Sequence, residues 1–233
     1  MSKLSITWFG HSTFVITTPG GTRIVTDPWL EQNPACPPDK KKIDKADVIL
    51  LSHGHFDHTG DIVNVSRATG ATTLAVFELS QWLERKGLQN VTGMGIGGTV
   101  KIAGLEISMV PAVHTSSTVE HDTTVYLGLA AGFVVKMEDQ RSFYFAGDTA
   151  LFGDMRLIAE LYKPEIAFLP IGDHFTMGPE AAAIAARMLG VRQVVPMHYG
   201  TFPVLTGTPD AFKRLVDPHG IDVLVLKPGE TAQ

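Results

Sequence analysis

Residues 53–58 read His53-Gly54-His55-Phe56-Asp57-His58, three imidazoles and a carboxylate in six positions, directly behind the apolar run Val48-Ile49-Leu50-Leu51. Imidazole and carboxylate together suit zinc, manganese, iron or nickel. A buried strand that stops at such a cluster delivers its ligands to the rim of a sheet, where α/β proteins keep their sites. A structural zinc site favours four closed ligands rich in Cys, and this chain has 1 Cys. The pattern therefore predicts a catalytic metal site. Three more metal-ligand types follow apolar strands in the same way. His114 follows Ile107-Ser108-Met109-Val110-Pro111, Asp148 follows Phe143-Tyr144-Phe145-Ala146-Gly147, and His198 follows Val194-Val195-Pro196-Met197.

The elements that must position these residues alternate between two styles. The first third reads as a β-meander: Leu4 to Phe9, Thr13 to Thr17, a Pro19-Gly20-Gly21 turn, and Arg23 to Thr26. From Asp27 to Lys42 four prolines (Pro28, Pro34, Pro37 and Pro38) forbid regular hydrogen-bonded structure, and the loop is expected to overhang the site. Helix and strand then alternate: a helix over Ile62 to Ala68, a strand over Thr72 to Val76, a helix over Glu78 to Lys86, and a glycine-rich turn from Gly93 to Gly98. A second meander follows, with strands over Leu105 to Val110, Thr123 to Leu129, Phe133 to Met137 and Ser142 to Phe145. The last third alternates again: a helix over Asp154 to Tyr162, the strand Ile166 to Leu169, a helix over Pro179 to Leu189, the strand Gln193 to Val195, a helix over Pro209 to Val216, and the strand Val223 to Leu226. This order predicts two similar halves of one domain spanning residues 1–233, with two sheets inside and helices outside.

Composition narrows the class. The chain has 233 residues, 44% hydrophobic and 18% charged, enough apolar material for a sizeable core. The net charge is −5 and the longest basic run is Lys40-Lys41-Lys42, so there is no electrostatic footprint for nucleic acid. Met1 to Ile6 lack the apolar core of a signal peptide and no stretch suits a membrane span, which predicts a cytoplasmic protein. Cys36 stands alone, so no intrachain disulfide forms. The segment Gly93-Met94-Gly95-Ile96-Gly97-Gly98 precedes a strand-like run instead of opening a helix, and so reads as a turn and not as a nucleotide loop.

On the H-x-H-x-D-H cluster, the later His114, the Gly147-Asp148 pair and His198, in that order, the chain resembles the metallo-β-lactamase superfamily of metal-dependent hydrolases. Asp27 in Val25-Thr26-Asp27-Pro28 matches the superfamily's usual first motif. Trp8-Phe9-Gly10-His11-Ser12, Ile171-Gly172-Asp173-His174 and Met197-His198-Tyr199-Gly200-Thr201-Phe202-Pro203 resemble a cytosolic branch near ascorbate-6-phosphate lactonase and N-acylphosphatidylethanolamine phospholipase D. The resemblance implies an αββα four-layer sandwich, with two mixed β-sheets inside and helices outside. It also implies two divalent ions, zinc first, with manganese, iron or nickel as other candidates. His53, His55 and His114 would hold one ion, Asp57, His58 and His198 the other, and Asp148 would bridge them. A metal-bridging hydroxide would then attack a phosphodiester, lactone or other ester bond of a small molecule, with a phosphate-bearing substrate favoured. Asp57 would orient that nucleophile or protonate the leaving group.

Further candidates carry two readings each. His11 is expected beside the metals, together with Asp27 behind them, or else as a structural turn contact. His174 approaches the substrate or caps its loop. Tyr199 donates its phenol to an oxyanion or packs beside a ligand. His121 and His219, in polar loops, read as surface residues. An iron-dependent oxidoreductase and a non-catalytic metal-dependent sensor are the alternatives on the same fold; the full His set argues against the first and the retained ligands against the second. A homo-oligomer is compatible with all three.

Overall fold

The computed structural model describes residues 3–233. The first half contains β1 (Ser5–Trp8), β2 (Phe14–Thr17), β3 (Arg23–Thr26), β4 (Val48–Leu50), α1 (Phe56–Thr59), α2 (Ile62–Thr69), β5 (Thr72–Val76), α3 (Phe77–Arg85) and β6 (Val91–Met94). The second half contains β7 (Thr99–Ile102), β8 (Leu105–Pro111), β9 (Ser117–Glu120), β10 (Thr123–Tyr126), β11 (Ala131–Lys136), β12 (Ser142–Phe145), α4 (Met155–Tyr162), β13 (Ile166–Pro170), α5 (Pro179–Leu189), β14 (Gln193–Met197), α6 (Pro209–Val216), β15 (Asp222–Val223) and β16 (Thr231–Ala232).

Two seven-stranded mixed sheets result, ordered β16-β1-β2-β3-β4-β5-β6 and β15-β14-β13-β12-β11-β8-β7. Each has one antiparallel half and one parallel half, so the two sheets repeat one plan. Helices cover the outer faces: α3 packs on β5 and β6, α5 on β13, and α6 on β15. The inner faces share one continuous apolar core, in which Phe14 of the first sheet meets Phe168 of the second edge-to-face with ring centroids 5.0 Å apart. Phe143, Tyr144 and Phe145 of β12 are all fully buried, because a strand covered on both faces reads as a continuous apolar run without alternation. The expected αββα sandwich is the observed fold.

Strand direction positions the site. β3, β4, β5 and β6 run parallel, and β1 shares their direction because β1 and β3 each pair antiparallel with β2. In the second sheet β12, β13 and β14 are parallel, and β8 shares their direction because β8 and β12 each pair antiparallel with β11. Strands β1, β3, β4, β8, β12 and β14 therefore emit His11, Asp27, the 53–58 cluster, His114, Asp148 and His198 from their carboxyl ends.

Several expected elements shift. Gly93 belongs to β6 and not to a turn; the turn is confined to Gly95–Gly98. A Cβ on Gly93 would run into Ser80 Oγ of α3, so glycine is what lets the helix sit on this strand. The strand expected over Thr123 to Leu129 ends at Tyr126 and pairs with β9 alone, in a hairpin outside both sheets. Gly128, at φ +84°, breaks the extended chain there. The strand expected over Val223 to Leu226 is reduced to Asp222–Val223. β9 and the C-terminal β16, which closes the first sheet against β1, carry too few apolar residues to be read from pattern, whereas β7 is the strand-like run expected after the glycine-rich turn. The proline-rich loop holds one 3-10 turn, Pro38–Lys40.

Candidate metal centre

The ends of those six strands converge on a buried set of imidazoles and carboxylates. Asp148 lies at the middle. Its Oδ2 is 3.0 Å from His198 Nε2, 3.3 Å from His58 Nε2, 3.6 Å from His114 Nε2 and 3.9 Å from His53 Nε2. Around it the donors form two groups, His53, His55 and His114 on one side and His11, Asp57, His58 and His198 on the other, with ligand atoms within 4.8 Å of one another in each group. His53 Nε2 and His55 Nδ1 face each other at 3.0 Å. All seven residues expected as ligands from the sequence are thus brought together, from four separate chain segments.

The outer ring nitrogens are held from behind. His58 Nδ1 donates to Asp27 Oδ2 at 2.7 Å, and His53 Nδ1 lies 3.0 Å from Ser52 Oγ. Ser52 in turn donates its N–H to Asp27 Oδ1 (2.8 Å) and its hydroxyl to Asp27 Oδ2 (2.6 Å). Asp27 therefore stands behind the cluster, as expected, and aims His58 Nε2 inward. Its φ of +36° and the φ of +56° at His198 are left-handed values that non-glycine residues avoid; the Asp27 N–H to Leu50 O bond (3.0 Å) and the His198 N–H to His11 O bond (3.1 Å) hold them there.

Electrostatics agree with a cation-binding cluster. Burial, and then the charge of His58, push His53 well below the ordinary imidazole range; burial does the same to His55 and His114, so their lone pairs stay free. Burial raises Asp148, but His198 and His58 outweigh it and hold the carboxyl well below its usual value. Asp57 behaves alike: burial raises it, while the hydrogen bond from His11 and the charge of His58 bring it below the carboxylate range. Burial pushes the Asp27 carboxyl up, and His58, lowered by burial, is carried well above the imidazole range by Asp148 and Asp27.

The buried carboxylates, together with the imidazoles of His53, His55 and His114 that burial keeps neutral, fit divalent metal ions. Asp148 Oδ1, His58 Nε2 and His198 Nδ1 are buried without a hydrogen-bond partner among the described residues, which is costly unless a cation or water satisfies them. The donors are nitrogen and oxygen, the chemistry that zinc, manganese, iron and nickel accept.

On the His11 side the wall is aromatic. Trp29, Phe56 and Phe202 pack with centroids 5.6 to 6.3 Å apart, and His11 meets Trp29 and Phe202 edge-on at 5.1 and 5.6 Å. Trp29 is the contribution of the proline-rich loop; it walls the cluster rather than overhanging it. Phe56 is 58% exposed although it stands between two cluster residues.

The remaining candidates separate. His11 is fully buried and inside the second donor group. His174 is exposed, at φ +60°, with Phe175 edge-on to its ring at 4.4 Å; its loop adjoins His198 through Gly172. Tyr199 packs on Trp8 with centroids 5.0 Å apart, which is the packing half of its two readings. His121 and His219 are exposed. Sequence reasoning missed Ser52, Ser116 and Thr201. Ser116 Oγ accepts from Gly54 N–H at 3.1 Å and Thr201 Oγ1 lies 2.7 Å from His11 Nδ1. Only the adjacency of Ser52 and Thr201 to cluster residues signalled them.

A family model described as beta-lactamase superfamily domain matches residues 22–199. A "UPF0173 metal-dependent hydrolase" of Koribacter versatilis is 47% identical over 99% of this chain and 98% of its own length, and another of Rubrobacter xylanophilus is 50% identical over 97% and 94%. The solved structure of a "metallo hydrolase" from Ignicoccus hospitalis is 38% identical, covers 98% of this chain and 97% of its own, and superposes with a TM-score of 0.86. The chain belongs to the beta-lactamase superfamily and, within it, to the family of the UPF0173 metal-dependent hydrolases.

Proposed function

We propose that the chain is a hydrolase that uses two divalent ions, zinc first among the candidates, to cleave an ester-type bond of a small molecule. The observation that carries this reading is the reach of Asp148 Oδ2 to four histidines drawn from both donor groups. His53, His55 and His114 would hold one ion, Asp57, His58 and His198 the other, and Asp148 would serve both. Bound there, such ions would supply a Lewis acid for the scissile bond and a bound water acidic enough to ionise near neutral pH. Asp27 and Ser52 lock the rings of His58 and His53 with their inner nitrogens facing the ions. Asp57, kept ionised, accepts a hydrogen bond from the attacking water and so orients it. Trp29 and Phe202 wall the His11 side of the cluster, while the exposed face of Phe56 would offer apolar surface to the substrate. His174 stands at the rim, where it meets an anionic group on the substrate. Tyr199 is assigned to packing on Trp8.

The bond is a phosphodiester, a lactone or a carboxylic ester, all of which suit a pair of cations. The free, buried thiol of Cys36 supports a reducing, cytoplasmic setting. Among the described residues no helix is long and apolar enough to cross a membrane.

The test is elemental analysis of protein purified without chelator, beside hydrolysis of bis(p-nitrophenyl) phosphate, p-nitrophenyl esters and a lactone panel. Two ions per chain with turnover that chelator removes and metal restores are expected. Asp148→Asn should lower turnover by ~100-fold or more while the chain stays folded. Full activity in that variant, or in ion-free protein, would sink the reading.

A further inference from the structure

His11 lies outside the seven residues that the cluster pattern supplies, three positions beyond β1, yet it is fully buried among them. We propose that His11 is an additional metal ligand, the fourth donor beside Asp57, His58 and His198, and that Thr201 is the residue that orients it. The proposal rests on reading the cluster as a two-ion centre.

Three observations carry it. The first is spacing. His11 Nε2 is 3.1 Å from Asp57 Oδ2, and one donor atom from each of His11, Asp57, His58 and His198 falls within 4.8 Å of the others. Two ligand atoms each ~2.0–2.2 Å from one ion, at angles between square and tetrahedral, sit about 3.0–3.5 Å apart. The His11–Asp57 separation belongs to that range, as do the 3.0 Å of His53 and His55 and the 3.0 Å of His198 and Asp148.

The second is orientation. His11 Nδ1 is held at 2.7 Å by Thr201 Oγ1, as His58 Nδ1 is held by Asp27 and His53 Nδ1 by Ser52. In all three the outer nitrogen is occupied and the inner one points into the cluster, the arrangement that fixes the tautomer of a ligating histidine.

The third is anchoring. The His11 carbonyl accepts from His198 N–H at 3.1 Å and from Trp8 Nε1–H at 3.0 Å, and the His11 and His198 rings are in contact, tilted by 43° with centroids 3.9 Å apart. The backbone at His11 is left-handed, φ +57°, matching the +56° of His198. A strained pair of histidines, tied to each other and both facing one group of donors, is built as a unit.

The consequence is an asymmetric centre. The first ion draws on His53, His55, His114 and Asp148, four donors, which suits zinc. The second draws on His11, Asp57, His58, His198 and Asp148, five donors, which favours an ion that accepts five or six ligands, such as manganese, iron, cobalt or nickel.

The rival role for His11 is that of an N–H donor that braces Asp57, with Thr201 donating to Nδ1. Wild type, His11→Ala, His11→Gln and Thr201→Val, reconstituted with cobalt(II) and separately with zinc, distinguish them. Expected are two ions per wild-type chain, weakening of one of the two by more than ~100-fold in the His11 variants and by ~10–100-fold in Thr201→Val. The cobalt absorption should also rise per retained second-site ion as its ligand number falls. If a His11 variant fails to fold, 15N spectra of histidine-labelled, zinc-loaded wild type decide, since His11 Nε2 then resonates as a ligated nitrogen and returns to a free imidazole on metal removal. A His11 variant with two ions, unchanged affinity and an unchanged cobalt spectrum would overturn the ligand assignment alone. A wild type that binds no second ion would overturn the two-ion reading together with it.

Discussion

Asp27 touches no substrate in the reading above, yet three hydrogen bonds converge on its carboxylate, from His58 and twice from Ser52. Asp27→Asn keeps the shape and removes the charge that holds the His58 ring. Metal affinity should fall ~10–100-fold in a titration followed by competition with a chromophoric chelator, while circular dichroism stays native. Unchanged affinity would mean that His58 needs no support from behind. Cys36 offers a residue-scale control. It is 3% exposed and burial pushes its thiol up to about 11. The native protein should therefore resist iodoacetamide at neutral pH and release one reactive thiol on denaturation; rapid labelling of folded protein would contradict this burial.

Helix ends and the loops after strands set what the residues can do. Thr208 caps α6 by accepting from Ala211 N–H at 3.2 Å. Thr208→Ala should cost about 1 kcal/mol, a drop of roughly 2–4 °C in Tm, with metal content untouched. Gly172 stands in a different place: a Cβ there would overlap the carbonyl oxygen of His198. Gly172→Ala must move the β14 loop, so both Tm and metal content should fall together, and a variant with native metal content would show that the loop gives way without cost. Five of the six α-helices were legible because their signals are local; α1, four residues long and inside the cluster, was not. Pro179 opens α5 and Gly190, at φ +63°, closes it, the asymmetry that sequence alone displays. β9 was not, and β10 was read three residues too long, since an exposed hairpin with Val119 70% and Tyr126 66% exposed shows no alternation that a core imposes.

The two sheets are held by aromatic packing between their inner faces. Phe168 meets Phe14 across the layer and Phe143 within its own sheet, at 5.0 and 5.5 Å. Phe168→Ala should destabilise the fold by ~3–5 kcal/mol in urea unfolding, because residues from both sheets line the cavity and neither can collapse into it alone. A loss under about 1 kcal/mol would mean that the sheets repack freely. Since the site takes residues from both sheets, the same variant is expected to weaken metal binding at elevated temperature before it unfolds.

The sequence by itself determined the reaction-bearing residue types, the alternation of meanders and βα units, and the seven candidate ligands. These are local facts: six residues of the cluster are contiguous, and each later candidate follows an apolar run. Only the tertiary structure decided how those segments meet. That His11 is fully buried against His198, 187 positions later, depends on β1 and β14 running to the same edge of two different sheets. Thr201 and Ser52 acquire a purpose only once a ring nitrogen arrives beside them. Tyr199 meets Trp8, 5.0 Å between ring centroids, because β1 and β14 end at the same edge of the two sheets. Spacing along the chain shows which groups a site can draw on, whereas direction, burial and facing are properties of strands packed together.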